Sequence, residues 1–203
     1  MSKIRQVNFK KQQMAKALST HLSVNLAMNN RESPLKKAYD NTYHCNQYKT
    51  YDGETMTGKY CKNRWCITCN RIRTAININH YSEQINKFGT PMFVTLTRPT
   101  CTIEELPGQL EHFAKTWRQI YKSANRNDRK AARLNVNLIG IRSIECTLRP
   151  NGMYHLHMHI ILDGFNNAHW LVSEWLERNK DSSDAAQDAR VANAGSLVEL
   201  FKY

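Results

Sequence analysis

Apolar residues recur along this chain with two periods, and the switches between them outline a mixed fold. Met14, Leu18, Leu22 and Leu26 stand four apart among basic and polar residues, which predicts an amphipathic helix over 9–29, ended by Asn29, Asn30, Ser33 and Pro34. Residues 41–70 are rich in Tyr, Asn and Cys with little periodicity, the signature of a small metal-stabilised module. A helix is predicted from Arg71 to Lys87, stopped by Gly89 and Pro91. Met92–Thr97 is β-branched and aromatic and reads as a strand. Pro107 suits the first turn of a helix whose apolar stripe is Leu110, Phe113, Trp117 and Ile120. Two strand patterns, Asn137–Leu148 and Met153–Leu162, flank Arg149-Pro150-Asn151-Gly152, a turn by composition, so the pair predicts a β-hairpin. A helix over 168–178, a short strand over 187–192 and a helix from Ser196 to Tyr203 complete the series. The expected class is α+β, an antiparallel sheet flanked by helices with a small N-terminal zinc-binding module. The expected division is a helical segment over 1–40, the zinc module over 41–70 and the main domain over 71–203.

Charge narrows the partner. Lys and Arg number 29 against 17 acids, a net charge of +12 in 203 residues. That excess favours a polyanion, because basic side chains release the counterions condensed on nucleic acid. No apolar run approaches the ~20 residues of a membrane span, and the basic, polar N-terminus lacks the core of a secretory signal. A cytosolic chain is expected, in which six cysteines serve as metal ligands or free thiols rather than disulfides.

The most informative stretch is Tyr154-His155-Leu156-His157-Met158-His159. Side chains alternate across a strand, so His155, His157 and His159 share one face and can converge on a divalent cation, while Leu156, Met158 and Ile160 point to the core. The bland reading is a polar, solvent-facing strand side. Glu145, the only acid in the partner strand, is the candidate third ligand. Its direction depends on the turn: a plain four-residue loop pairs it with Leu156 and turns it away, and a bulge or a three- or five-residue loop turns it toward the histidines.

Cys61, Cys66 and Cys69 form a C-x4-C-x2-C knuckle. A closed structural Zn2+ site needs a fourth ligand, for which Cys45 is the natural candidate and its neighbour His44 the fallback. Cys101 and Cys146 lie in or beside predicted strands and read as core residues. At the C-terminus, Glu199 and Tyr203 stand one helical turn apart, with Lys202 adjacent. A tyrosine hydroxyl so placed is a candidate nucleophile on phosphate. The competing view is that Ser196 and Glu199 form a capping box and that Tyr203 simply packs.

Taken in order, Cys45, Cys61, Cys66, Cys69, then Phe93-Val-Thr-Leu-Thr97, Glu145, His155-x-His157-x-His159 and Glu199-x-x-Lys202-Tyr203 resemble the plasmid rolling-circle replication initiator (Rep) family of HUH endonucleases. The resemblance covers about residues 41–203. It implies an HUH endonuclease-like fold, with Mg2+ or Mn2+ held by His157 and His159, His155 as a neighbour that shares, and Glu145 completing the site. It implies that Tyr203 attacks the scissile phosphate, giving a 5′-phosphotyrosine and a 3′-OH primer, and that Glu199 activates water late in the cycle. Lys202, Arg64 and Arg71 are the expected DNA contacts. The partners implied are single-stranded origin DNA, open or folded as a hairpin, and the host helicase and polymerase. Relatives continue past this tyrosine, so a chain ending at Tyr203 is expected to be a truncated form with a fraying last helix. Alternatives are a relaxase or single-tyrosine transposase of the same class, a non-catalytic zinc-containing replication regulator, and a small-substrate metallohydrolase. The cysteine knuckle and Glu-x-x-Lys-Tyr pairing argue against the first, the histidine strand against the second and the charge against the third.

Overall fold

The computed structural model describes residues 3–51, 53, 56–125 and 135–202. Its elements are α1 (Lys3–Asn29), α2 (Lys36–Tyr43), β1 (Lys49–Tyr51), β2 (Met56–Gly58), α3 (Ile67–Ile85), β3 (Pro91–Thr97), α4 (Leu106–Asn125), β4 (Gly140–Leu148), β5 (Tyr154–Asp163), α5 (Phe165–Arg178), β6 (Asp188–Val191) and α6 (Ala194–Phe201). They divide into two compact units, Met1–Asn77 with Lys202–Tyr203, and Ile78–Phe201. The fold is α+β, as the hydrophobic pattern predicts.

In the first unit the buried stripe of α1 is Ala15, Ser19 and Ser23, while Met14, Leu18 and Leu22 point outward. Small residues let the neighbouring backbone approach closely. The Ser19 hydroxyl accepts the Ile67 N–H (2.9 Å), capping the start of α3 from another helix, and donates to its own Ala15 carbonyl (2.8 Å). Residues 41–70 hold more regular structure than their composition suggests. The second half of α2 lies there, and β1 pairs antiparallel with β2 through Lys49↔Gly58 and Tyr51↔Met56. Both elements are too short and too polar to leave a periodic signal. Thr42 on α2 organises the loop before α3. Its hydroxyl takes Asn63 Nδ2 (2.7 Å) and Trp65 Nε1 (3.0 Å), and the Trp65 ring packs on Tyr39.

The second unit is built on a four-stranded antiparallel sheet of order β4-β5-β3-β6. One face carries Met92, Val94 and Leu96 of β3 and Leu156, Met158, Ile160 and Leu162 of β5. It packs on Phe113 and Ile120 of α4 and on Ala168, Leu171 and Trp175 of α5. On the opposite face, Phe93 and Ile161 meet Leu200 and Phe201 of α6 and Ile85 of α3. That second cluster covers only one end of the face, and the remainder is polar. Strand β4 begins at Gly140, three residues later than the pattern predicts, because Leu138 gives its N–H and C=O to the Asn125 side-chain amide instead of a strand (3.1 and 3.4 Å). Cys101 is buried, but Cys146 is exposed on the edge strand rather than in the core.

The β4–β5 turn settles the open question of register. Gly152 N–H donates to the Arg149 carbonyl (2.9 Å), Arg149 N–H to the Met153 carbonyl (2.8 Å), and Gly152 has φ +78°. This is a type I turn closed by a left-handed glycine, the form of a three-residue hairpin loop with a bulge. Strand pairing starts at Leu148↔Tyr154, and Glu145 falls opposite His157.

Candidate functional site

Two clusters of metal-ligating side chains stand out among the described residues, one in each unit. In the first, Cys45 follows α2, Cys61 and Cys66 flank the loop that Thr42 organises, and Cys69 lies on the first turn of α3. Their sulfurs lie 3.4 Å (Cys45–Cys69) and 3.6 Å (Cys61–Cys69 and Cys45–Cys66) apart. Four sulfurs at ~2.3 Å from a tetrahedral Zn2+ stand about 3.8 Å from one another, so the donors fit a closed structural ion. Backbone N–H groups of Cys61 and Lys62 point at the Cys45 and Cys69 sulfurs (3.5 and 3.2 Å), as they do toward thiolates, with Lys62 in the left-handed conformation at φ +62°. His44 lies outside the cluster and bonds Gln47 Oε1 (2.7 Å). Burial pushes the Cys69 thiol up to about 11 and the Cys45 thiol higher still, whereas hydrogen bonds led by the Cys69 N–H outweigh burial at Cys66 and hold it low. Burial thus opposes thiolates at Cys45 and Cys69, a cost that a bound cation would offset.

The second cluster lies on the polar part of the sheet. The register aligns Thr147–His155, then Glu145–His157–Thr97, then Ser143–His159–Thr95–Asp188, as successive rows on one face. Glu145 Oε2 stands 3.1 Å from Nε2 of both His157 and His159. The carboxylate and the His159 side chain are each 7% exposed and that of His157 is 14% exposed, so this is not a solvated strand side. Burial, and then the neighbouring His157, hold His159 below the usual imidazole value, keeping it neutral and able to offer a lone pair. His155 stands apart from this triad. Its Nδ1 takes an Arg149 guanidinium N–H (2.8 Å), and burial followed by that guanidinium lowers its basicity.

Three further residues shape the site, and hydrophobic pattern gave no sign of them. Thr95 Oγ1 meets His159 Nδ1 (3.2 Å), and the Phe93 ring stacks on the His159 ring at 5.3 Å and 17°. The Arg190 guanidinium in turn sits 4.8 Å over Phe93. The strand Phe93–Thr97 thus supplies the outer support of a histidine, which strand pairing alone reveals. Glu199 reaches the site from α6, its Oε1 3.7 Å from His159 Nε2. The reciprocal cap of that helix joins Asn193 and Ser196, Asn193 N–H to Ser196 Oγ and Ser196 N–H to Asn193 Oδ1, both 3.1 Å.

Tyr203 lies outside the described residues. The Lys202 carbonyl accepts Asn70 Nδ2 (2.5 Å), Arg64 is exposed, and Arg71 donates to the Lys11 carbonyl (3.0 Å). No described helix is long and apolar enough to cross a membrane.

Residues 53–190 match a family described as "Replication protein", a span that holds the Cys61–Cys69 knuckle, Glu145 and all three histidines. "Protein rep" of Lentilactobacillus hilgardii is 30% identical over 110 residues, which cover 51% of this chain and 32% of that protein. The chain thus matches that relative over about a third of its length. No solved structure matches significantly. Because the match spans most of the chain and includes its histidine strand and cysteine knuckle, the protein belongs to the replication protein family.

Proposed function

We propose that this protein is a rolling-circle replication initiator of the HUH endonuclease class, which nicks one DNA strand at an origin through a tyrosine. The observation that carries this reading is the convergence of Glu145, His157 and His159, whose ligand atoms all lie within 4.8 Å of one another on two paired strands. One carboxylate and two neutral imidazoles form a donor set suited to a divalent ion, with the imidazoles favouring Mn2+ over Mg2+. An ion held there supplies charge neutralisation at a non-bridging phosphate oxygen.

In this reaction Tyr203 Oη forms a bond to the scissile phosphorus while the bond from phosphorus to the 3′-oxygen breaks. The phenolic proton ends on the released 3′-hydroxyl, and the 5′-phosphate stays on the tyrosine. Glu199, whose Oε1 lies 3.7 Å from His159 Nε2, takes a proton from the water that later ends the cycle. His155, tied to Arg149, borders the site as the neighbour of the two ligating histidines. The Cys45, Cys61, Cys66 and Cys69 cluster holds a structural Zn2+. Lys202, Arg64 and Arg71 contact DNA, and the host helicase and polymerase extend the 3′-OH in the bacterial cytoplasm.

The test is incubation with single-stranded origin DNA and Mn2+, resolved on a denaturing gel. A covalent protein–DNA adduct is expected, lost in His157→Ala together with His159→Ala. Cleavage that survives in that double variant overturns the assignment.

A further inference from the structure

The net charge is distributed unevenly along the chain. Residues 1–77 carry 14 basic against 4 acidic side chains, a net +10 of the chain's +12. The sheet unit that holds the histidine cluster is close to neutral, with 14 basic and 13 acidic residues over 78–201. The attraction for a polyanion therefore resides in the unit that holds the four cysteines.

That unit also has a groove of about 1000 Å³, bordered by α1, by the first turns of α3 and by the residues beside β2. Ligand pockets span roughly 300–1,000 Å³, so the groove accepts a nucleotide with room along the strand. Lys11 and Arg71 place two cations on its rim, and Ile72 gives it an apolar wall. Tyr60 lies along it and is 41% exposed, an aromatic surface without a stacking partner among the described rings. Two lining atoms, Asn46 Oδ1 and Thr68 Oγ1, are buried and lack a hydrogen-bond partner among the described residues. Buried polar atoms are nearly always paired, so two orphans in one groove point to a ligand that pairs them. Asn46 holds its position in the left-handed conformation (φ 56°), and a Cβ at Gly58 would collide with its Oδ1.

We propose that this groove binds single-stranded DNA, with one unpaired base stacked on Tyr60 and paired to Asn46 and Thr68, and its flanking phosphates on Lys11 and Arg71. A base in a duplex cannot offer both its face and its pairing edge, which selects an unpaired strand. The inference rests on the reading of DNA as substrate, but it concerns binding and needs no strand cleavage.

The experiment is fluorescence anisotropy of the full chain with a labelled mixed-sequence oligonucleotide, without added Mg2+ or Mn2+, and with zinc content verified for every variant. Tyr60→Ala is expected to weaken binding about tenfold, the size of one stacked base. On a strand of abasic sites with the same phosphates, wild type and Tyr60→Ala bind alike. Lys11→Ala with Arg71→Ala lowers the slope of log affinity on log salt by about 1–2. Thr68→Val is the control against misfolding. It removes an unpaired hydroxyl at constant shape, so the free protein melts no lower while the DNA affinity falls. Zinc-loaded Tyr60→Ala and Thr68→Val proteins that bind as wild type overturn the proposal, as does equal binding of a blunt duplex. Wild-type binding without nicking counts against the nuclease reading alone.

Discussion

Thr95→Val isolates one hydrogen bond in the candidate metal site. Glu145 Oε2 stands 3.1 Å from His159 Nε2, and Thr95 Oγ1 stands 3.2 Å from its Nδ1. When no cation is bound, a proton on Nε2 pairs with the carboxylate and Nδ1 accepts from the Thr95 hydroxyl. Binding a cation requires the other tautomer, with the lone pair on Nε2 and the proton on Nδ1. A threonine hydroxyl serves both states because it can donate or accept; valine, of the same shape, serves neither. The metal-bound form would then bury an unpartnered N–H, at a cost of about 1–3 kcal/mol. Outer partners of ligating histidines are typically worth 10–100-fold in metal affinity, or roughly 1.4–2.7 kcal/mol, the same range. Titration with Mn2+, read by the electron paramagnetic resonance of the free ion, should show affinity down by about 10–100-fold in Thr95→Val and near wild type in Thr95→Ser. Thr97, opposite His157, directs its hydroxyl to the Ala186 carbonyl (3.3 Å), so Thr97→Val should leave Mn2+ affinity within about twofold. Equal Mn2+ affinity in Thr95→Val and wild type would refute the tautomer argument.

Cys66→Ser should lose one Zn2+ per chain by native mass spectrometry, and chelation of the wild type should melt the first unit before the second; a stably folded, metal-free wild type contradicts the site. Burial holds His159 below its ordinary 6.5, so between that value and its folded value the unfolded chain binds the extra proton. Metal-free protein should therefore lose stability as the pH falls below about 6.5, and urea melts at about pH 7.5 and about pH 5.5 should show a smaller loss in His159→Asn; an unchanged loss places the titration elsewhere. Tyr203→Phe should abolish the covalent adduct, while Glu199→Ala should still nick but release product poorly; normal nicking with phenylalanine excludes the tyrosine mechanism.

Long, strongly periodic elements were legible in the sequence: β3, α4, the β4–β5 hairpin and the histidine face follow from spacing alone. Elements held by something other than apolar burial were not. The stripe of α1 misleads because that helix packs through Ala15, Ser19 and Ser23, where closeness and hydroxyl bonds replace bulk. The choice between Cys45 and His44 is invisible to spacing, since adjacent residues differ by one step of backbone direction; Asn46, in the left-handed conformation with its N–H on the Lys59 carbonyl, sets the turn just after Cys45. The Glu145 register turns on one left-handed glycine. Without the bulge at Gly152 the whole of β4 would rotate its faces by one residue.

The position of Glu199 shows how a correct local rule selects the wrong partner. Ser196 and Glu199 satisfy the capping-box spacing, but so do Asn193 and Ser196, three residues earlier, and a serine cannot be first in one box and last in the other. Burial decides between them. With Asn193 as the cap, α6 begins at Ala194, which places Leu197, Leu200 and Phe201 against Phe93, Ile161 and Ile85, with Tyr81 stacked on Phe201 at 5.4 Å. Starting the helix at Ser196 would remove its first turn and the reciprocal Asn193–Ser196 bonds and gain no apolar contact. The same rotation brings Glu199 toward His159, because positions 199 and 200 lie about 100° apart on a helix. A hydrophobic cluster thus fixes the direction of a neighbouring carboxylate, and a side chain whose spacing also fits a cap joins Glu145, His157 and His159 as the fourth ionisable member of the cluster.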